Sequence, residues 1–175
     1  MVDPEEQPPP SGGPGSDARK GSASEQALEL TVQRLAPGYE TPTDAQFRSW
    51  VQAAAPGVAG ELTIRIVAET ESRDLNRRYR GLDRPTNVLS FPLDAPPGVP
   101  MEVLGDLVIC APLVHREARD QGKSTESHWA HLVVHGVLHL LGHDHAQPED
   151  ARRMEALETR ILTRLGYGDP YEVPQ

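Results

Sequence analysis

Apolar and polar residues alternate at Leu28, Leu30 and Val32, and again at Leu62, Ile64 and Ile66 within residues 61–69. This period of two marks strands with one buried face. Between them Phe47, Trp50, Val51 and Ala54 recur at helical spacing behind Thr43, a suitable N-cap. Residues 71–81 predict a short helix with Leu75 and Tyr79 four apart and Gly81 as its stop. Residues 86–93 form a β-rich run interrupted by Pro92, 94–101 a loop, 102–112 a buried strand, and 113–122 a helix ended by Gly122. From Trp129 to Leu141 the pattern changes. Apolar residues lie almost all round a helix spanning 125–141, which Ser124 or Thr125 can cap, so that helix belongs in the core. A last helix begins at Pro148, carries Met154, Leu157, Ile161, Leu162 and Leu165 on one face, and stops at Gly166.

Strands first, with helices interleaved and then clustered, predict an α/β (α+β) single domain. A mixed sheet packs against a buried histidine-bearing helix and the helices around it. The expected domain covers 25–175. Residues 1–24 are Pro, Gly, Ser and charge with almost nothing to bury, and are expected to be a disordered tail. The chain has 175 residues, 37% hydrophobic and 25% charged, which suits a soluble globular domain with a real core. It holds no apolar run of 18 residues and no apolar stretch of a secretory signal, so no membrane association is expected. The single cysteine, Cys110, supplies neither a disulfide framework nor a cysteine zinc site, and fits a reducing cytoplasm. A net charge of −9 argues against indiscriminate binding of nucleic acid and makes any local basic patch more informative.

The buried helix carries the chemistry. In HGVLHLLGHDH, residues 135–145, His135 and His139 share a helix face one turn apart. Gly142 lets the chain turn back, so His145 can return as a third ligand. Three neutral imidazoles suit Zn²⁺, and three protein ligands leave a fourth position open, as catalytic sites do. One zinc per chain is expected. His131 lies one turn before His135 and His128 just short of that face. They are candidates for supporting or substrate contacts, as is His143 within the turn. Asp144 either holds a ligand imidazole or forms the turn itself. Zinc peptidases of the metzincin kind share the HxxxHxxGxxH spacing but carry a glutamate where this chain has Gly136. The helix's own glutamate, Glu126, lies more than two turns from His135, so a peptidase mechanism lacks its base.

Residues 72–84, SRDLNRRYRGLDR, hold five arginines against Asp74 and Asp83, a local charge of +3 in an acidic chain. Arginine grips phosphate with a planar fork, so Arg73, Arg77 and Arg84 are candidate RNA contacts, although a solvated helix face has the same composition. With HGVLHLLGHDH, the stretches YRGLDRPTNVLSFP (79–92) and LGDLVIC (104–110) resemble the YbeY family of bacterial endoribonucleases, and the likeness runs from about Leu28 to Tyr171.

That resemblance implies a zinc-dependent, single-strand-selective endoribonuclease. Such an enzyme would act in maturation of small-subunit (16S) ribosomal RNA at its 3′ end and in ribosome quality control. Its partners would be single-stranded RNA and the small ribosomal subunit, with no DNA. It implies His135, His139 and His145 as metal ligands and Arg80 as the functional basic residue. Two positions depart from the family's common form: Leu82 stands where lysine is frequent, and His143 where tyrosine is. The competing readings are a zinc hydrolase of another substrate class, such as a relic peptidase, and a non-catalytic ribosome-associated factor whose metal only completes the fold.

Overall fold

A computed structural model describes residues 27–94, 96–98 and 103–172. The expected tail, 1–24, and part of the 94–101 loop lie outside these residues. The elements run β1 (Leu28–Arg34), α1 (Asp44–Ala54), β2 (Gly60–Val67), α2 (Glu69–Arg80), β3 (Val88–Pro92), β4 (Val103–Cys110), α3 (Ala111–Asp120), α4 (Thr125–Leu140) and α5 (Pro148–Arg164). The four strands form one sheet in the order β1-β2-β4-β3. β1, β2 and β4 are parallel, and β3 runs antiparallel along the β4 edge.

Local signals place most boundaries. Thr43 forms a complete capping box with Gln46, and the Ser124 side chain accepts the Ser127 N–H at the start of α4. Gly81 ends α2 in the left-handed conformation, φ 72°. Two expectations are corrected. The strand expected over 102–112 ends at Cys110, and α3 begins at Ala111 rather than 113. Pro112 lacks an N–H and so fits the first turn of a helix, where no intrahelical partner is needed. Helix α2 starts at Glu69, two residues earlier than the pattern implied, and Tyr79 is 60% exposed.

A bulge sets the phase of β4. Glu61 pairs with Val103, but Leu62 pairs with Gly105, so one extra residue is taken up there. Leu104 and Leu107, three apart, therefore both reach the main core. Gly105 has φ 140°, and a Cβ there would lie 2.4 Å from the Phe91 carbonyl oxygen.

The main core lies between one sheet face and α1 and α4. It contains Ile64, Ile66, Leu107 and Ile109 from the strands, Phe47 and Trp50 from α1, and Trp129, Val133, Val137 and Leu138 from α4. Each fully buried large side chain contributes about 1.5–3 kcal/mol. Rolling α4 to re-aim its polar face would sacrifice several of them, so the orientation of its histidines is set by the core beneath. A smaller cluster of Val67, Leu89 and Val108, with Leu75 and Phe91 against it, seats α2 on the other face. Among the described residues no helix is long and apolar enough to cross a membrane.

Candidate active site

Helix α4 ends in a Schellman turn. The His143 N–H donates to the Leu138 carbonyl and the Gly142 N–H to that of His139, with Gly142 at φ 92°. The reversal carries His145 back beside its partners. One ring nitrogen from each of His135, His139 and His145 lies within 4.8 Å of the other two. The Nε2 atoms of His135 and His139 are 3.1 Å apart. Two imidazole nitrogens that close need a proton or a cation between them. Around a tetrahedral zinc with bonds of about 2.0–2.1 Å, ligand nitrogens stand roughly 3.3–3.4 Å apart, so the set is near the size the ion requires. Burial, followed by the neighbouring His135 and His145, lowers the His139 pKa and favours the neutral, ligating form. These three residues can hold one metal ion.

Behind them lies a residue the sequence reading missed. Glu158, on α5, is fully buried against α4. Its Oε1 is 2.6 Å from His135 Nδ1 and its Oε2 2.9 Å from His131 Nε2, and the Tyr171 hydroxyl also donates to it. Burial acts to raise the Glu158 carboxyl, but the hydrogen bonds from His131, His135 and Tyr171 outweigh it and hold the pKa down to about 2. The ionised carboxylate takes the Nδ1 proton of His135 as its hydrogen-bond donor and leaves Nε2 unprotonated toward His139, the arrangement that turns a histidine into a metal ligand. The signal was present in the sequence. Met154, Glu158 and Leu162 are spaced by four, so one carboxylate interrupts an apolar stripe.

The other candidates separate by what they touch. His131 is held by Glu158. His128, 4% exposed, pairs with Glu117 of α3 at 2.7 Å and lies away from the three-histidine cluster. Asp144 forms the turn: its Oδ1 accepts the N–H groups of His145 and Ala146, at 2.7 and 3.2 Å. His143 is exposed beside it. Arg73 makes a two-pronged contact with Asp83, at 2.8 and 2.9 Å, that ties α2 to the loop after it. Arg77 lies 3.5 Å from Asp74, and the backbone carbonyl of Arg84 accepts from Asn76.

Arg80 is placed differently. With Tyr79, the β3 residues Val88–Pro92, His135 and His139 it lines one cleft of about 430 Å³. The end of the arginine helix, the edge strand and the histidine helix thus meet at one opening. Gly136 does not face it. A Cβ at this position would meet Leu107 Cδ2 at 2.8 Å, and the Gly136 carbonyl accepts a hydrogen bond from Ser90 Oγ at 3.2 Å. The position next to His135 is occupied by helix–sheet packing.

The profile of the family described as Endoribonuclease YbeY matches residues 27–166. An Endoribonuclease YbeY of Halorhodospira halophila is 57% identical over 150 residues, covering 83% of this chain and 97% of its own. One of Alkalilimnicola ehrlichii is 56% identical over 156 residues, covering 85% and 94%. The solution structure of a Thermotoga maritima protein covers 81% of this chain and 99% of its own at 24% identity, with a TM-score of 0.49. With a family profile spanning most of its length and relatives more than half identical to it, the chain belongs to the Endoribonuclease YbeY family.

Proposed function

We propose that this protein is a zinc-dependent endoribonuclease selective for single-stranded RNA, acting in the cytoplasm on the 3′ end of small-subunit ribosomal RNA and in ribosome quality control. The observation that carries the reading is that Arg80 shares one cleft with His135 and His139, two members of a three-histidine set, in a chain whose relatives are named endoribonucleases. His135, His139 and His145 would hold the ion. Bound there, Zn²⁺ supplies Lewis acidity at a phosphoryl oxygen. Glu158 keeps the His135 ring in its ligating tautomer and orientation. Arg80 steadies the charge that grows on the scissile phosphate, a task for a planar cation fixed in a cleft.

Arg77, Arg84 and His143 stand as contacts for the flanking RNA. Arg73 and His131 are given supporting positions instead, since Asp83 and Glu158 already engage them. A peptidase reading finds no support at Gly136, which carries no carboxylate and faces Leu107 rather than the cleft. The test is cleavage of a single-stranded RNA, its duplex and a peptide, with and without a chelator. Chelator-sensitive cut of the single strand alone is expected. Peptide hydrolysis, or RNA cleavage unaffected by metal removal, would overturn the proposal.

A further inference from the structure

Tyr79 stands out among the large apolar side chains. It is 60% exposed, yet it is neither at a loop tip nor loosely placed. It occupies the last turn of α2, and its ring meets Phe91 edge-on, with centroids 4.9 Å apart and planes at 69°. Phe91 is itself seated on the cluster of Val67, Leu89 and Val108. The sheet therefore fixes the ring from one side while more than half of the residue stays open. The fold gains little from it, because most of its surface is unburied. Its direction is informative, because Tyr79 lines the same cleft as Arg80, His135 and His139.

We propose that Tyr79, buttressed by Phe91, is a stacking platform for one unpaired nucleobase of the RNA, next to the phosphate held at Arg80. This rests on the ribonuclease reading above and assigns the base-binding part of that site. Consecutive residues then present an aromatic ring and a guanidinium, which are the two groups a single nucleotide can use: a π-face for its base and a cation for its phosphate. The basic last turn of α2, with Arg77 and Arg78 beside Arg80, draws the backbone to this rim. Stacking tolerates any base but requires that its face be free. Bases in a duplex are already stacked on one another, so the platform selects single strands without reading sequence.

The test uses the full-length, zinc-loaded chain and a short single-stranded RNA, with binding followed by fluorescence anisotropy and the RNA verified intact by gel. Tyr79→Ala is expected to weaken binding roughly 10- to 100-fold, the range typical of one base on an aromatic. Its melting temperature should be that of the wild type, because the ring is exposed. Tyr79→Phe and Tyr79→Trp should retain affinity. Replacing the RNA's nucleotides one at a time by an abasic ribonucleotide should reveal one position at which the wild type loses the same factor and Tyr79→Ala loses nothing more. Wild-type affinity in Tyr79→Ala, or a loss that persists in full at every abasic position, would overturn the platform while leaving the nuclease intact. A wild type that neither binds nor cuts single-stranded RNA would overturn the ribonuclease reading and the platform with it.

Discussion

Two of the three histidine–glutamate contacts along α4 lead to opposite ends. His128 meets Glu117 at 2.7 Å and His135 meets Glu158 at 2.6 Å, each histidine on α4 and each glutamate on a neighbouring helix. In the first pair the histidine is sealed in, 4% exposed, and its other nitrogen, Nδ1, has no partner. The carboxylate there is the destination of the contact, and it pins α3 to α4. In the second pair the carboxylate is the sealed member, and the histidine's far nitrogen is turned toward His139 and the cleft. At Glu158 the buried carboxylate leaves His135 a free nitrogen toward His139, whereas at Glu117 the buried histidine turns its contact into a clasp between helices.

Substitutions in and around the two pairs should separate their roles. The largest effect is expected at the ligands. His139→Ala should reduce metal content from one ion per chain toward none, and lower RNA cleavage by more than roughly 10³-fold, a loss beyond that of a single charge-stabilising donor. Metal analysis and single-turnover kinetics check this, and full occupancy in that variant would remove His139 from the ligand set. Arg80→Ala should lower turnover at saturating RNA by roughly 10²–10³-fold with metal content unchanged, and Arg80→Lys should restore only part of it. A variant that cleaves at the wild-type rate once RNA is bound would make Arg80 a binding anchor.

The glutamates themselves come next. Glu158→Gln should weaken zinc affinity by about 10–100-fold, measured by competition with a chromophoric chelator. Glu117→Gln should leave zinc affinity as it is and cost about 1 kcal/mol of stability, the difference between a hydrogen bond to a charged acceptor and one to the neutral amide that replaces it. Equal zinc affinities in the two variants would erase the distinction between the pairs. The smallest effect concerns pH. Burial raises the Glu117 carboxyl, but hydrogen bonds from His128 and Asn87 prevail and leave its pKa below the ordinary 4.5. A depressed carboxylate stabilises the fold above its unfolded pKa, and that contribution is lost as the pH falls through the lower folded value. Melting curves from pH 6 downward should therefore flatten in Glu117→Gln relative to the wild type.

Local chemistry was legible in the chain, and distant docking was not. The caps at Thr43, Ser124, Gly81 and Gly142 act within a few residues, and sequence spacing reveals them. So does the run from His135 to His145, because one helical turn and one reversal bring its three rings together. Glu158 escaped because its meaning depends on α5 lying across α4, and spacing within α5 shows only that a charge interrupts a stripe. The bulge at Gly105 and the antiparallel course of β3 depend on pairing between strands far apart in sequence. Spacing sets Tyr79 four residues from Leu75, and period alone cannot tell a buried face from one that rims a cleft.

The contact at Gly136 bears on how such sites change over evolutionary time. The histidine spacing is shared with zinc peptidases, and on spacing alone a single codon change to glutamate would supply their base. In this fold the change is not free of cost, because the first carbon of any side chain at 136 would stand 2.8 Å from Leu107 Cδ2, so that the leucine must give way. Acquiring the carboxylate would require Leu107, a fully buried core side chain, to shift its methyl groups. The two hydrolase chemistries can therefore share a histidine spacing and still differ in what packs beside it, so that a change to glutamate carries a local repacking of the core with it.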